Sequence, residues 1–268
     1  MRYALSAVLA AVLLSAGTAH SHGSGGLRGE VSVEVVSDQG SAMLTIPHKD
    51  FWKGGTRIIK NYLEAKKGEK YSLVIRNGWP ERIGVVVAVD GRNIISGKRS
   101  DLRNTEDMYI VNGHETGRYD GWRTDQDTVH RFYFTDPGDS YSATTFRDTS
   151  AMGVIAVAVY REKDRQPLIE EMRKRESAPA APSAGSAAPG RSLAKDQAAG
   201  TGFGEGQYSP TVRVAFEPER TPAQKMLVRY EWRETLCRKG IINCGQEGRN
   251  RLWDDGEYAP FPPGYRGK

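Results

Sequence analysis

Two short apolar runs, Ile83–Val89 and Met152–Tyr160, constrain what this chain can fold into. Both are rich in Val, Ile and Ala, and both carry apolar residues at odd and even positions alike. That pattern is typical of β-strands covered on both faces, and neither run is long enough to cross a bilayer. A strand in a plain two-sheet sandwich alternates because its outer face meets water. The sequence therefore predicts an additional layer over the outer face of these two strands.

The surrounding residues predict an all-β domain over residues 22–162. The strand-like runs are Val31–Val36, Met43–Ile46, Tyr71–Arg76, Ile83–Val89, Asn93–Ser96, Met108–Val111, Val129–Thr135 and Met152–Tyr160. Asp90-Gly91 is a dipeptide suited to a type I′ hairpin, in which both central residues take positive φ. We therefore predict a mainly β fold, an antiparallel β-sandwich of about eight strands, with a C-terminal strand and one helix docked on it.

The first residues predict export. Arg2 precedes the apolar stretch Ala4–Ala16, and small residues allow signal cleavage after Ala19 or Ser21, so residues 1–21 are predicted to be a signal peptide. The protein is then secreted, to the periplasm or the cell exterior. Removing Arg2 lowers the formal net charge from +5 by one, and this mild excess predicts no specific nucleic acid partner. No other stretch is apolar and long enough to predict a transmembrane segment.

The C-terminal part predicts a linker followed by a docking unit. Residues 163–206 are first charged and then rich in Ala, Pro, Ser and Gly, which is typical of a linker. Thr211–Glu217 alternates as a strand with one exposed face, and the capping pattern at Thr221 predicts a helix from about Pro222 to Lys239. Residues 207–245 are too few for a core of their own, so they must dock onto the β-domain. Residues 246–268 form a Pro/Gly-rich tail.

This docking unit also supplies the candidate assembly residues. The linker is long enough for the unit to dock on its own domain or on a neighbour's, so self-association through sheet edges is one prediction. The alternating strand contributes one apolar face, and the predicted helix has a second apolar face that docking would leave partly exposed. The candidates are Val212, Val214, Phe216, Val228, Trp232 and Leu236.

The two cysteines, Cys237 and Cys244, predict a local disulfide. They belong to the exported part of the chain, where thiols are oxidised. Their spacing matches neither a C-x-x-C redox motif nor a zinc-binding pattern. The bond would fasten the residues after the helix to the end of that helix.

One polar and aromatic segment is the candidate ligand site. An aromatic ring beside Arg and Asp in a loop suits sugar stacking, and the carboxylates suit calcium. The alternative is that the tryptophan is a core plug flanked by turn carboxylates. The candidates are Tyr119, Asp120, Trp122, Arg123, Asp125 and Asp127.

The mature N-terminus is a candidate metal site. If cleavage leaves His20 first, the terminal amine, two amide nitrogens and the His22 imidazole form a square-planar set that suits Cu(II). If cleavage leaves His22 first, its amine and imidazole chelate copper with help from a distant histidine. The alternative is a terminal tail without a ligand. No other cofactor is predicted.

A set of motifs resembles an uncharacterised family of exported Gram-negative bacterial β-domain proteins. The motifs are VVVAVDGRNI (85–94), YDGWR (119–123), RFYFT (131–135), DSY (139–141) and MGVIAVAVY (152–160), with tail pieces at 200–210 and 212–218. The resemblance covers roughly residues 57–162. It implies an exported domain with no known activity, and it supplies no catalytic residues. The cysteine pair and the Pro-rich end from Tyr258 to Lys268 fall outside the shared pattern.

Three functions remain open from the sequence. The first is a non-enzymatic envelope or extracellular structural or interaction protein, whose partner is a second copy, an envelope glycan or another exported protein. The second is a periplasmic glycan- or copper-binding module, and the third is an unrecognised hydrolase. The first is favoured because the chain displays strands, a linker and docking elements but no nucleophile–base motif.

We expect the mature chain to bind Cu(II) tightly only if His20 is its first residue, because the chelate needs His22 in third position. N-terminal sequencing followed by copper titration measures this, with His22→Ala as the control. Equal copper binding by the variant would contradict the prediction.

Overall fold

The computed structural model describes residues 29–163 and 198–244. The predicted signal peptide, the histidines His20 and His22, most of the predicted linker and the tail lie outside these residues. The described parts form two β-sheets packed face to face, with few helices. The mainly β sandwich is therefore confirmed, with a C-terminal strand and one short helix as part of it.

The strands are numbered in chain order: β1 Val31–Ser37, β2 Thr45–Lys53, β3 Thr56–Ala65, β4 Lys70–Asn77, β5 Ile83–Val89, β6 Arg92–Asn93, β7 Tyr109–Val111, β8 Thr116–Tyr119, β9 Gly121–Arg123, β10 Thr128–Thr135, β11 Val154–Arg161, β12 Gly200–Thr201, β13 Gly206–Tyr208 and β14 Gln224–Trp232. The α-helices are α1 Tyr141–Phe146 and α2 Arg233–Arg238, and a 3-10 turn covers Pro137–Asp139.

The first sheet has the order β1-β4-β10-β12, with β8 paired to β4 and with β9 and β13 paired to β10. The second has the order β2-β3-β14-β11-β5-β6, with β7 paired to β5. All its pairings are antiparallel except that of β14 with β3, which is parallel. The core fills the space between the sheets and consists mainly of Val, Ile, Leu and aromatic side chains.

The two apolar runs are interior strands, as their composition predicts. β11 lies between β14 and β5, and β5 lies between β11 and the pair β6 and β7. The turn from β5 to β6 is the predicted two-residue turn: Asp90 and Gly91 take φ of 48° and 76°. Every residue of β5 is buried.

The predicted cover over the outer face comes from loops rather than from a helix. Val86, Ala158 and Tyr160 form a second apolar cluster there, against which Leu102 and Met108 pack. The Tyr160 hydroxyl donates to the Leu102 carbonyl at 2.6 Å. Phe216 covers Gly84, where a Cβ atom would lie 2.6 Å from the phenyl ring. Strand β5 is thus covered by other residues on both faces.

The predicted helix from Pro222 to Lys239 is wrong over most of its length. Residues 224–232 form strand β14, and only Arg233–Arg238 are helical. Gln224, Met226, Val228 and Tyr230 are buried, and the residues between them, Lys225, Leu227 and Arg229, are more exposed, which is the period of a strand. Burial between two strands outweighed the helix-favouring Lys, Met, Leu, Arg and Glu side chains.

Two other boundaries need correction. Thr211–Glu217 pairs with no strand within residues 29–163 and 198–244, and its nearest contact of that kind is a single bridge between Glu162 and Pro218. The end of the predicted linker, from Ala199 onward, belongs to the fold, because β12 and β13 pair with β10 and both Ala199 and Thr201 are fully buried. Glycines there permit close packing against aromatic side chains, which composition alone does not distinguish from a linker.

Cys237 and Cys244 lie within bonding distance, with their Cα atoms 5.4 Å apart, which is within the usual range for a disulfide. The pair joins the end of α2 to the last described residues.

Gly121 provides a test of how tightly β9 packs on β10. A Cβ atom there would lie 2.0 Å from the His130 carbonyl oxygen, whereas one at Gly138 would meet nothing within 4 Å. We expect Gly121→Ala to lower the free energy of unfolding by about 3 kcal/mol or more, because backbone must move to accommodate it. Gly138→Ala should change it by less than about 0.5 kcal/mol. Denaturant unfolding measures both, and similar values for the two variants would contradict this packing.

Candidate interaction site

The predicted ligand-binding tryptophan is a core residue. Trp122 is 2% exposed, its ring packs against Phe132 and Tyr141, and its Nε1 donates to the Gly202 carbonyl at 3.0 Å. A buried ring offers no face to a sugar. Of the two interpretations, the structure therefore supports the core plug.

The polar residues around Trp122 are used in local structure. Asp120 accepts hydrogen bonds from Ser72 Oγ and Arg118 Nε at 2.6 and 2.8 Å. Asp125 accepts from the Asp127 backbone N–H, and this bond is the main reason that its pKa is lowered. Within residues 29–163 and 198–244, no group of three or more His, Cys, Asp or Glu side chains is placed to hold a metal ion.

Tyr119 and Arg123 meet through Tyr109. The Tyr109 and Tyr119 ring centroids are 4.4 Å apart, and burial raises the pKa of both phenols. Arg123 donates through Nε to the Tyr109 hydroxyl at 2.8 Å and through Nη1 to the Ser209 carbonyl at 2.9 Å. Its guanidinium therefore holds the chain just before Thr211 in place, and these donors are not free to bind a ligand.

The six candidate assembly residues separate into two groups. Val228 and Leu236 are buried at 3% and 0% exposure, and Trp232 is partly buried against the main core. All three stabilise the fold, and Val228 and Leu236 are too deeply buried to contact a partner. Val212 and Val214 are 81% and 53% exposed, and the partly buried Phe216 lies beside them. Only the residues of the 211–217 segment remain as a surface.

The 211–217 segment is held at both ends. At its start, the Thr211 backbone N–H donates to the Gln126 carbonyl at 3.0 Å, and Gln126 Nε2 donates back to the Thr211 carbonyl at 3.1 Å. At its end, the Lys163 N–H donates to the Glu217 carbonyl at 2.8 Å. In between, Arg82 Nη2 donates to the Ala215 carbonyl at 3.1 Å. The chain has no turn or bend between these anchors.

Between the anchors, the backbone N–H groups have no partner among the residues that the structure describes. Within the described parts of the chain, no hydrogen bond is donated by any backbone N–H group of residues 212–217. Such a row of open N–H groups in an unbent segment is the feature that an edge strand offers to an incoming strand. The side chains of Val212 and Val214 line a groove of about 830 Å³ that Met108, Tyr109 and Arg123 border on its other side.

The long edge strands of the two sheets are, in contrast, obstructed. β2 carries Pro47, Lys49 and Lys53 and has a register shift between Pro47 and Lys49. Proline, lysine and bulges are the usual devices that keep an edge from pairing. The outer edge of β1 is occupied, because the Met43 N–H donates to the Val35 carbonyl at 2.8 Å.

A buried polar network connects the two described parts of the chain. Asp90, 1% exposed, accepts hydrogen bonds from the Tyr230 hydroxyl at 2.5 Å, the Thr201 N–H at 2.7 Å and the Gly153 N–H at 2.8 Å. The Thr201 hydroxyl in turn bonds those of Tyr230 and Tyr71. Burial raises the pKa of Asp90 to about 6, although these donors act in the opposite direction.

Sequence reasoning missed this network and the anchors of the 211–217 segment. Asp90 was recognised only as a turn residue, because nothing in the sequence places Thr201 and Tyr230 beside it. Arg82 and Gln126 are ordinary surface residue types, and only the fold brings them to the segment.

No family model, no curated protein and no solved structure matches this chain. The resemblance to a family of exported proteins therefore stays a prediction. No helix among the described residues is long and apolar enough to span a membrane.

The Asp90 network predicts an unusual pH dependence. A carboxyl whose pKa is higher in the folded state contributes stability at low pH that is lost as the pH rises. As the pH rises from 3.8, the ordinary pKa of an aspartate, to about 6, ionisation of this group should lower the free energy of unfolding by about 3 kcal/mol. Asp90→Asn cannot titrate, so the free energy of unfolding of wild type minus that of the variant should fall by about 3 kcal/mol across that window.

Thermal unfolding from pH 4 to 7 measures this difference. Asp50→Asn is the matched control, because its exposed carboxyl has a pKa lowered mainly by the Arg57 hydrogen bond, so its contribution is lost as the pH falls. A constant difference between wild type and Asp90→Asn would show that the carboxyl titrates normally.

Proposed function

We propose that the chain is an exported, non-enzymatic structural or interaction protein of the envelope or the extracellular space. Its working element is the 211–217 segment, which pairs with an extended polypeptide strand. The observation that carries the proposal is the row of backbone N–H groups at residues 212–217, which donate no hydrogen bond to any described residue, beside the exposed side chains of Val212 and Val214. Main-chain pairing of this kind gives affinity, and the alternating side chains give specificity.

The anchors of the segment support this proposal. Because Gln126 holds Thr211 and Lys163 holds Glu217, the backbone is already positioned before a strand arrives. Ordering a free chain costs about 1–2 kcal/mol per residue, and an anchored segment avoids most of this cost on binding. The segment is also bounded by Pro210 and Pro218, which limit the length of a paired strand.

The alternatives have less support. The glycan-binding alternative requires the Trp122 ring to stack on a sugar, and that ring is buried. The copper proposal depends on His20 and His22, which lie outside the described residues, so it stays a prediction. For a hydrolase, the Asp90 carboxyl is not accessible to a substrate, because it is buried and its oxygens accept hydrogen bonds from Tyr230, Thr201 and Gly153.

A pair of proline variants tests the proposal. Val214→Pro removes an N–H group on one edge of the segment, and Ala215→Pro removes one on the opposite edge, where Arg82 binds the Ala215 carbonyl. If the edge that carries the Val214 N–H accepts a strand, Val214→Pro costs about one hydrogen bond and leaves a partner carbonyl unpaired. We expect about tenfold less of the chain in complexes.

The measurement is native mass spectrometry of the full chain purified from the envelope or medium of its host. Ala215→Pro is the matched control and should retain the complexes. If wild type, Val214→Pro and Ala215→Pro occur in the same species in the same proportions, strand pairing through this segment is refuted.

A further inference from the structure

We infer that the strand which pairs with the 211–217 segment is the same segment of a second copy of this chain, antiparallel and related by a two-fold axis at Val214. This inference rests on the proposed function and names its partner. It follows from which edge of the segment is open and from the order of the side chains along it.

Within the part of the chain that the structure describes, one edge of the segment is open and the other is occupied. The backbone groups that are bonded belong to odd-numbered residues: Thr211 to Gln126, the Ala215 carbonyl to Arg82, and the Glu217 carbonyl to Lys163. In an extended chain, the N–H and C=O groups of successive residues point to opposite edges. The odd-numbered residues therefore face the protein. The N–H and C=O groups of Val212, Val214 and Phe216 face away from it, and none of them forms a hydrogen bond within the described residues.

This open edge is self-complementary in its hydrogen bonding. Antiparallel pairing about Val214 places Val214 opposite Val214 of the second copy, and Val212 opposite Phe216 of the second copy. All three belong to the open edge, so each pair exchanges both of its hydrogen bonds. A two-fold axis at an odd-numbered residue would instead place the hydrogen bonds between the two copies on the other edge, where the protein's own residues already bind the backbone.

The apolar side chains are complementary in the same register. On the face that lines the groove, Val212 and Val214 meet Phe216 and Val214 of the second copy, which continues an apolar surface. On the opposite face, Arg213 lies diagonal to Glu217 of the second copy, and this pair of opposite charges occurs twice because the interface is isologous. At the same offset, Arg213 also lies diagonal to Arg213 of the second copy, and this pair of like charges occurs once. The segment itself contains no proline or lysine that would obstruct the edge.

Cysteine cross-linking of the full-length chain tests this register. In hydrogen-bonded antiparallel pairs, the Cα atoms are about 5.5 Å apart, which a disulfide spans. Val214→Cys should therefore form a disulfide-linked dimer under mild oxidation. In Arg213→Cys, the two cysteines are offset along the strands and about 8–9 Å apart, too far to bond. We expect at least about tenfold more dimer from Val214→Cys than from Arg213→Cys.

A mixture provides the matched control. Arg213 faces Ala215 of the second copy, with Cα atoms about 4.5 Å apart. Arg213→Cys and Ala215→Cys should each form no disulfide-linked dimer alone and yet form a linked heterodimer when mixed. Because Cys237 and Cys244 pair with each other, peptide mass spectrometry identifies the new bond.

Two results overturn the inference. Equal dimer formation by all three single variants shows chance collisions without a register. No dimer from Val214→Cys and none from the mixture shows that the second copy is not the partner. If Val214→Pro still removes the chain from larger complexes in that case, the proposed strand pairing stands with a different partner. If it does not, both fail.

Discussion

The insertion of β14 between β3 and β11 is the interaction on which the rest of the structure depends. Its backbone pairs with Arg57–Ala65 on one side and with Val154–Val159 on the other. Without it, the second sheet separates into a β2–β3 hairpin and a β11–β5–β6 unit. The Asp90 network depends on the same insertion, since Tyr230 belongs to β14. Residues 29–163 and 198–244 therefore share one core, and neither part has a complete sheet alone.

Local chemistry made much of the sandwich predictable. The Asp90-Gly91 turn, the two doubly buried runs and the proximity of Cys237 and Cys244 follow from short-range rules about φ, burial and spacing. β14 was not predictable in this way, because its residues favour a helix in isolation and become a strand only between two others. The hairpin of β2 and β3 was missed because its polar and charged residues obscure the alternation. Non-local pairing decided both cases.

The candidate site likewise has features that local sequence predicted and features that depend on the fold. The alternation from Val212 to Phe216 correctly indicated an extended segment with exposed valines, and it also suggested a strand in a sheet. Sequence could not show that the segment has no strand partner in the described parts of the chain, because that depends on where Gln126 and Arg82 hold it. Trp122 is the reverse case: its polar neighbours indicated a surface site, and their hydrogen bonds to Ser72 and Asp127 proved to be structural.

The position of β14 near the end of the chain governs how the protein folds. A central strand that comes from residues 224–232 pairs with β3, from residues 56–65, across more than half of the sequence. Contacts of such long sequence separation form slowly, since a large loop must close before they stabilise anything. During N-to-C synthesis, β3 and β11 are both complete well before their shared neighbour is available. Until then they present two open, partly apolar edges, so a chain that ends before residue 224 is prone to aggregate.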